Sequence, residues 1–379
     1  MLVWPQKNAL ILKSRAPEKI LNVIPKAKHF TIKGHSVVAV PHRTEETTLL
    51  RNLGYDAPAP IRSYYSWPGR FTPFHAQREA AAFLSMNRRA FNLSELGTGK
   101  SLASLWAYDY LRGIGQMNKC LVISPLSTLE RTWADEIFQH FPHLTYTVLH
   151  GSKDKRVKLL KEDFDVYIIN HDGVGIIEPH LVTRTDIDLV IVDEVAQCAR
   201  NAGTTRWKKI NLVVNRHREP RACWGMSGTP TPNAPTDAWA QCRLIVPEAV
   251  PPYFNRFKGT VMKQLTQFKW EAKAEATDIV RKIMQPSVRF TRDECLDLPP
   301  LMYETRAVTL TLEQNKAYKE MVAKLRTEAE HGEITAVNEA VKMGKLVQIG
   351  CGVVYANDGS EVSIPATARV AETRNIVTS

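Results

Sequence analysis

The residues Ser94-Glu95-Leu96-Gly97-Thr98-Gly99-Lys100-Ser101 set two glycines ahead of a lysine and a hydroxyl. The apolar run Ala90-Phe91-Asn92-Leu93 precedes them, and the helix-forming run Ser101 to Arg112 follows. In a strand–turn–helix setting, glycines let the backbone wrap close to a phosphate, whose charge meets N–H groups and the positive end of the helix. Lys100 is placed to reach β and γ phosphates, and the Ser101 hydroxyl to hold Mg²⁺. Gly97, Thr98, Gly99, Lys100 and Ser101 are therefore the candidate nucleotide-binding set. Ser94 stands where the general pattern has its first glycine.

Downstream, Asp193 and Glu194 end the apolar run Leu189-Val190-Ile191-Val192. Two adjacent carboxylates at a strand terminus can divide the work beside a bound phosphate. Asp193 would bind Mg²⁺, and Glu194 would polarise an attacking water as general base. A further strand, Ala222-Cys223-Trp224-Gly225, runs into Ser227-Gly228-Thr229-Pro230. Hydroxyls beside that turn are positioned to bond the Asp193-Glu194 segment and to respond to the terminal phosphate, which makes Ser227, Gly228 and Thr229 candidate coupling residues.

These loops need a scaffold that presents them side by side. Besides the strands named, Cys120 to Ile123 and Val166 to Ile169 are short apolar runs, with helical stretches such as Thr128 to Phe141 between them. Continuous rather than alternating apolar strands predict a parallel sheet covered on both faces, the α/β class, with ligands at the carboxyl ends of the strands. Residues 7 to 40 predict short strands around a small helix, Pro17 to Val23. Ala57-Pro58-Ala59-Pro60 predicts an extended linker. After Pro247, Lys273 to Met284 and Thr311 to Glu330 predict helices, the latter with Leu312, Tyr318, Met321 and Leu325 near one face. Val353 to Ile364 predicts a hairpin turning at Asn357-Asp358-Gly359.

Composition bounds the function. The chain has 379 residues, 44% hydrophobic and 23% charged, which excludes wholesale disorder and a collagen-like repeat. No apolar run approaches the roughly 20 residues that span a bilayer. The opening Met1-Leu2-Val3-Trp4-Pro5 lacks a basic leader before a long apolar stretch, so an intracellular location is expected, with no membrane partner. The six cysteines form no Cys-x-x-Cys pair, so buried free thiols are expected rather than zinc ligands or disulfides. Net charge is +11, and residues 1–90, with 14 basic and 5 acidic side chains, carry +9 of it. A concentrated basic segment suits a polyanion, because each neutralised phosphate releases counterions.

Taken together, the motifs resemble the first motor lobe of superfamily 2 helicase-like ATPases, and their flanks resemble the Swi/Snf-like branch. Cys120 to Glu130, containing Ser124-Pro125-Leu126-Ser127-Thr128, with Trp133, is similar to that branch's motif Ia; Asp165 to Gly173, containing Asn170-His171, is similar to motif Ib. Thr229-Pro230 with Asn233 and Trp239 resembles an extended motif III. Phe74 to Gln77 resembles the adenine-reading Q motif. Arg289 and Arg292, then Leu298-Pro299-Pro300, Gln314 and Tyr318, resemble the passage toward a second lobe. The similarity runs from about residue 66 to 350, and the layout is closer to phage helicase-like ATPases and annealing helicases than to large chromatin remodellers.

That resemblance implies a RecA-like P-loop lobe that uses ATP and Mg²⁺ and couples them to movement on double-stranded DNA. Gln77 would read the base, and Pro125, Leu126, Ser127, Thr128, Asn170 and His171 would contact the DNA backbone rather than base edges. It also implies a domain order: a small basic α+β module over residues 1–60, a candidate DNA-binding element; the motor lobe over 66–250; a helical segment over 251–350 leading to a second lobe; and a hairpin and tail over 351–379. A phage origin would place the protein in the host cytoplasm, associated with the nucleoid.

Departures are as informative. The family's Asp-Glu-x-His is Asp193-Glu194-Val195-Ala196 here, with Gln197 a candidate substitute for the missing histidine. One of the family's paired arginines is Phe290, beside Arg289. No Gln-x-x-Gly-Arg-x-x-Arg occurs, so the arginine-bearing second lobe is expected from elsewhere, as a further segment or a partner in trans. Two other readings stay open. One is a DNA-binding single lobe or half of a split ATPase that does not itself turn over. The other is a DEAD-box-type RNA helicase, whose Asp-Glu-Ala-Asp and Ser-Ala-Thr are replaced here by Asp193-Glu194-Val195-Ala196 and Ser227-Gly228-Thr229-Pro230.

Overall fold

The computed structural model describes residues 1–32, 34–216, 221–267, 269–295, 304–330, 336–355 and 360–378. Two compact units divide the chain, Met1–Leu298 and Pro299–Ser379.

The first unit opens with strands β1 (Leu2–Trp4) and β2 (Ala9–Lys13), helix α1 (Pro17–Val23), strands β3 (Lys28–Ile32) and β4 (His35–Pro41), and helix α2 (Thr44–Asn52). The strands form an antiparallel sheet in the order β1-β2-β4-β3. Leu10, Leu12, Val38 and Val40, alternating along β2 and β4, pack with Ile20, Ile24 and Leu50 in one small core, as period-2 strands over a helix layer require. The Ala57 to Pro60 segment is packed rather than free, and Pro60 already has helical backbone angles ahead of the next helix: Ala57 and Ala59 are buried, and Arg51 Nε donates to the Ala57 carbonyl at 2.9 Å.

Helices α3 (Ile61–Tyr64) and α4 (His75–Ser85) lead into the larger sheet. Its order of elements is β5 (Arg89–Asn92), α5 (Lys100–Gly113), β6 (Lys119–Ser124), α6 (Asp135–His140), β7 (Tyr146–Val148), α7 (Lys153–Lys161), β8 (Val166–Asn170), α8 (Gly173–Thr183), β9 (Ile187–Val192), α9 (Val195–Cys198), α10 (Thr205–Asn215), β10 (Ala222–Met226) and α11 (Asp237–Ile245). There follow α12 (Phe254–Val261), the hairpin β11 (Met262–Gln264) with β12 (Trp270–Ala272), α13 (Ala276–Ile283), β13 (Ser287–Val288) and α14 (Arg292–Cys295).

Seven of these strands form one sheet in the order β13-β5-β10-β9-β6-β8-β7, every pair parallel. Successive residues of each strand enter different cores. Phe91, Leu121, Ile123, Tyr167, Ile169, Val190 and Val192 face one; Ala90, Cys120, Val122, Ile168, Ile191 and Trp224 face the other. The sheet is thus covered on both sides, the parallel α/β arrangement that the continuous apolar runs predict and the RecA-like lobe that the resemblance implies. Cys120, Cys198, Cys223 and Cys242 are buried free thiols, Cys295 is half-buried and Cys351 is exposed.

Two features depart from the sequence expectations. Thr128 to Phe141 is not one helix: a π-helical turn over Leu129–Ala134 precedes α6. Strands β7 and β13 add an edge at each side of the sheet that the sequence pattern did not announce.

The second unit holds α15 (Leu312–Glu330), α16 (Ala336–Cys351), the hairpin β14 (Val353–Tyr355) with β15 (Glu361–Ser363), and α17 (Thr367–Thr378). The expected turn at 357–359 lies outside the described residues, as does Leu298-Pro299-Pro300. Thr311 and Gln314 form a reciprocal cap at the start of α15: Gln314 N donates to Thr311 Oγ1 and Thr311 N to Gln314 Oε1. Gln314 is buried and bonds the Ile349 carbonyl, whereas Leu312 is exposed, so the buried face is set by the cap rather than by the leucine.

Candidate nucleotide and DNA site

The parallel pairing brings the carboxyl ends of β5, β10, β9, β6 and β8 into one line. Met226 pairs with Asn92, Gly225 and Ile123 both pair with Val192, and Ser124 pairs with Asn170. Neighbouring strands lie about 4.8 Å apart. The loops that follow, each singled out by residue type, therefore emerge along a single edge.

The loop after β5 is held in shape by its own glycines and hydrogen bonds. Gly97 and Gly99 have φ of 83° and 77°, a left-handed conformation that side-chain-bearing residues adopt only at a cost. Both Thr98 Oγ1 and Lys100 Nζ donate to the Glu95 carbonyl, at 2.8 and 3.0 Å. Ser101 follows Lys100 in the first turn of α5. A Cβ on Gly99 would fall 2.1 Å from Gln77 Nε2, so a side chain there would push the Gln77 amide aside. Gln77 is buried, and its Oε1 accepts from Phe74 N at 2.9 Å, which leaves Nε2 as the donor open to a base.

Ser94, a departure from the family pattern, is explained by the backbone at Phe290; nothing in the structure explains the phenylalanine side chain itself. The Phe290 N–H donates to Ser94 Oγ at 3.2 Å, Leu93 N bonds the Val288 carbonyl, and Glu95 N bonds the Phe290 carbonyl. Glu95 Oε2 accepts from Arg292 N at 3.1 Å, and Arg289 pairs with the same carboxylate at 3.7 Å. The strand after α13 clamps the first residues of the loop, and a serine there supplies the acceptor.

Asp193 and Glu194 follow β9. The Asp193 carboxylate is buried and accepts from Trp133 Nε1 at 3.1 Å and from Glu194 N at 2.9 Å. His171 Nε2 lies 2.9 Å from the Asp193 carbonyl, which can only accept, so this nitrogen carries the proton and donates. Glu194 sits at φ 46°, ψ 50°, a left-handed conformation rare for a residue with a side chain. Burial pushes the Asp193 carboxyl above its ordinary range; the Trp133 and Glu194 hydrogen bonds and Lys100 act against it. Burial and then Asp193 push Glu194 up, with Lys100 opposing. Burial lowers Lys100, against Glu194, Asp193 and Glu95. One ammonium and two carboxylates thus share a poorly solvated edge, where each charge is felt strongly by the others.

Sequence reading missed Glu136 in this site. Burial and the nearby Asp193 push its carboxyl up to about 8, and its buried Oε2 has no hydrogen-bond partner among the described residues. The available signal was spacing: Glu136 lies one turn beyond Trp133, whose indole is already bound to Asp193.

The coupling candidates lie between these groups. Ser227 is fully buried, and its Oγ accepts from Thr229 N at 3.3 Å. A Cβ on Gly228 would lie 3.3 Å from Leu96 N and 3.6 Å from the Ser94 carbonyl, so this turn rests directly on the phosphate loop. Ala196 is buried, and the Gln197 side chain points to solvent and bonds nothing among the described residues. After β6, Leu126 and Ser127 are exposed, with Pro125 and Thr128 half-buried and joined by Thr128 Oγ1 to the Pro125 carbonyl at 3.0 Å. Asn170 is half-buried and accepts from Arg156 Nη1 at 3.3 Å, while His171 is occupied inside.

Mg²⁺ would find oxygen donors here, the chemistry it prefers, in the Ser101 hydroxyl and the Asp193 carboxylate. Among the described residues no group of three or more His, Cys, Asp or Glu is arranged to hold a metal ion by itself.

The family model of the SNF2-related domain matches residues 78–349. The chain belongs to the SNF2-related, Swi/Snf-like family of helicase-like DNA-dependent ATPases. The matched span lies within the 66–350 expected from the motifs and begins just after Gln77. A protein called p41 from Acyrthosiphon pisum secondary endosymbiont phage 1 is 24% identical over 322 residues, covering 81% of this chain and 69% of its own. The ISWI chromatin-remodeling complex ATPase ISW2 of Saccharomyces cerevisiae is 30% identical over 160 residues, covering 41% of this chain and 14% of its own length. The SWI2/SNF2 ATPase core of Sulfolobus solfataricus, solved in complex with dsDNA, aligns with 82% of this chain and 65% of its own at 20% identity, with a TM-score of 0.48. Thus the chain spans about two thirds of the phage protein and a small part of the yeast relative. Among the described residues no helix is long and apolar enough to cross a membrane.

Proposed function

We propose that this chain is the ATP-binding lobe of a motor that moves along or remodels double-stranded DNA. The observation that carries the reading is the single edge on which Lys100, Asp193 and Glu194 share one electrostatic environment while Gly228 rests on Leu96. Gly97 to Gly99 and the start of α5 would receive the phosphates, with Lys100 neutralising their charge where water screens it little. Ser101 and Asp193 would hold Mg²⁺, which when bound neutralises charge on the transferring phosphate. Glu194, its carboxyl raised and its backbone fixed, would orient and deprotonate the attacking water. Gln77 Nε2 would donate to the base.

Coupling is proposed to run through contact rather than through residue 196, where alanine has no polar group. A change at Ser94 to Leu96 reaches Gly228, and through it Ser227 and Thr229. The exposed loop from Pro125 to Thr128, with Asn170 beside it, would follow the DNA backbone, and residues 1–60 would add a basic contact. His171 supports this surface by fixing Asp193. Residues 251–350 would lead to the second lobe. Arginine across the cleft is worth on the order of 10³ to 10⁵ in turnover, and we propose that it comes from a second RecA-like lobe, in a further segment or in trans. A host-cytoplasmic, nucleoid-associated setting follows if the protein shares the phage origin of p41.

Calorimetric ATP titration of Lys100→Ala, alongside DNA binding across a salt series, tests the site. The expected result is loss of nucleotide binding with DNA binding retained and falling steeply with salt. A folded Lys100→Ala protein that keeps ATP affinity would remove the phosphate-loop assignment.

A further inference from the structure

The N-terminal sheet packs one of its faces on α1 and α2 and leaves most of the other open, although Val37 on that side is buried. Leu10, Leu12, Val38 and Val40 turn inward to α1 and α2, so the alternate residues of every strand face away. Those include Trp4, Ile11, Phe30 and Ile32, and Trp4, Phe30 and Ile32 are 45%, 46% and 54% exposed. A water-facing sheet side is ordinarily polar; this one is aromatic and aliphatic.

The face is also shaped and charged. With Tyr64, Tyr110 and Ile114 it encloses a concavity of about 1180 Å³. Gln116 Nε2 donates to Thr44 Oγ1, and Tyr64 Oη bonds His42 Nδ1 at 2.9 Å, so the walls are joined in advance. Lys7, Lys26, Lys28 and Arg43 line the concavity, all exposed and none in an ion pair among the described residues. Glu45 and Glu46 stand at the Arg43 end, and Glu46 is buried.

We propose that this face binds single-stranded DNA, its bases stacking on Trp4 and Phe30 and its phosphates meeting Lys7, Lys26 and Lys28. Trp4 lies on β1 and Phe30 on β3, at opposite edges of the sheet. Three strand spacings across the sheet, and four residues along it from the level of Pro41 to that of Val37, set them roughly 20 Å apart, room for several nucleotides. Aromatic planes bordered by cations are the chemistry of strand binding without sequence preference. A duplex keeps its bases stacked and would offer this face phosphates alone. A second copy would set one lysine-rimmed face against another. The choice of DNA over RNA rests on the motor reading above; the stacking surface does not.

Fluorescence anisotropy of the full chain with a labelled oligothymidylate, an oligouridylate and a blunt duplex of equal length tests this. Trp4→Ala and Phe30→Ala are each expected to weaken oligothymidylate binding roughly tenfold, the loss of one stacked base, with duplex affinity unchanged. Trp4→Phe, which keeps a ring, should retain most of the binding. Thermal unfolding should be unaltered, because both side chains are exposed. Lys28→Glu should weaken binding and flatten its salt dependence. The proposal is overturned if the folded double variant binds oligothymidylate like the parent, if single strand and duplex weaken together, if the variants only abolish self-association, or if oligouridylate binds more tightly. None of these readouts requires nucleotide, so a failure of the ATP site would register separately in Lys100→Ala.

Discussion

Glu194 carries the sharpest division between binding and chemistry. Its carboxylate lies beside Asp193 and Lys100 on a left-handed backbone, so an isosteric amide preserves shape and removes only the base. Glu194→Gln is expected to bind ATP as the parent does and to lose roughly 10²- to 10⁴-fold in single-turnover hydrolysis; equal rates would take the base role from it. Gly99 tests the geometry instead. At φ 77°, with Gln77 Nε2 2.1 Å from any Cβ, Gly99→Ala should cost about 1–2 kcal/mol in urea unfolding and displace the Gln77 amide. An unchanged unfolding midpoint would show that the loop relaxes freely. Lys100, Asp193 and Glu194 were legible in the sequence because their chemistry depends on local spacing after a strand. Glu136 was not, because its place beside Asp193 depends on how α6 packs; nor was the reason for Ser94, whose partner Phe290 is 196 residues away.

At the level of elements, the strands that carry site residues are the buried, continuous ones, and these were readable. Strands β7 and β13 are three and two residues long and pair only through distant contacts, so no local pattern marks them. The π-helical turn at Leu129–Ala134 was equally silent; such turns recur at functional sites, and here it carries Trp133, whose indole reaches Asp193. The segment expected as a linker is held by His42. Its Nε2 faces the Pro58 carbonyl at 2.8 Å and so donates, which leaves Nδ1 to accept from Tyr64 Oη. This arrangement needs the neutral ring, and burial lowers the pKa below 6.5 despite the Pro58 bond. The unfolded chain then binds more protons than the folded one, so stability is full above about pH 6.5 and is lost as the pH falls toward the folded pKa. Urea unfolding at neutral and mildly acidic pH should show that loss, and His42→Gln should reduce it. His140 and His171 shift the same way, so part of the slope should remain. Identical slopes in parent and variant would acquit His42.

For the whole molecule, the parallel order β5-β10-β9-β6-β8 turns a set of separated motifs into one working edge. The α/β class and the edge followed from apolar runs and loop chemistry; the clamp from β13 and the open aromatic face of the N-terminal sheet came only with the tertiary structure. Charge follows the same division, with +9 of the +11 in residues 1–90. The central claim is that ATP binds at this edge and that full turnover draws on an arginine from a second lobe. ATP hydrolysis by this chain, with and without double-stranded DNA and beside an ATP-binding titration, tests it most directly. The account predicts ATP binding with little turnover, rising when a second lobe is supplied. Strong DNA-stimulated hydrolysis by the chain alone would contradict the need for that lobe, and absence of ATP binding would contradict the site itself.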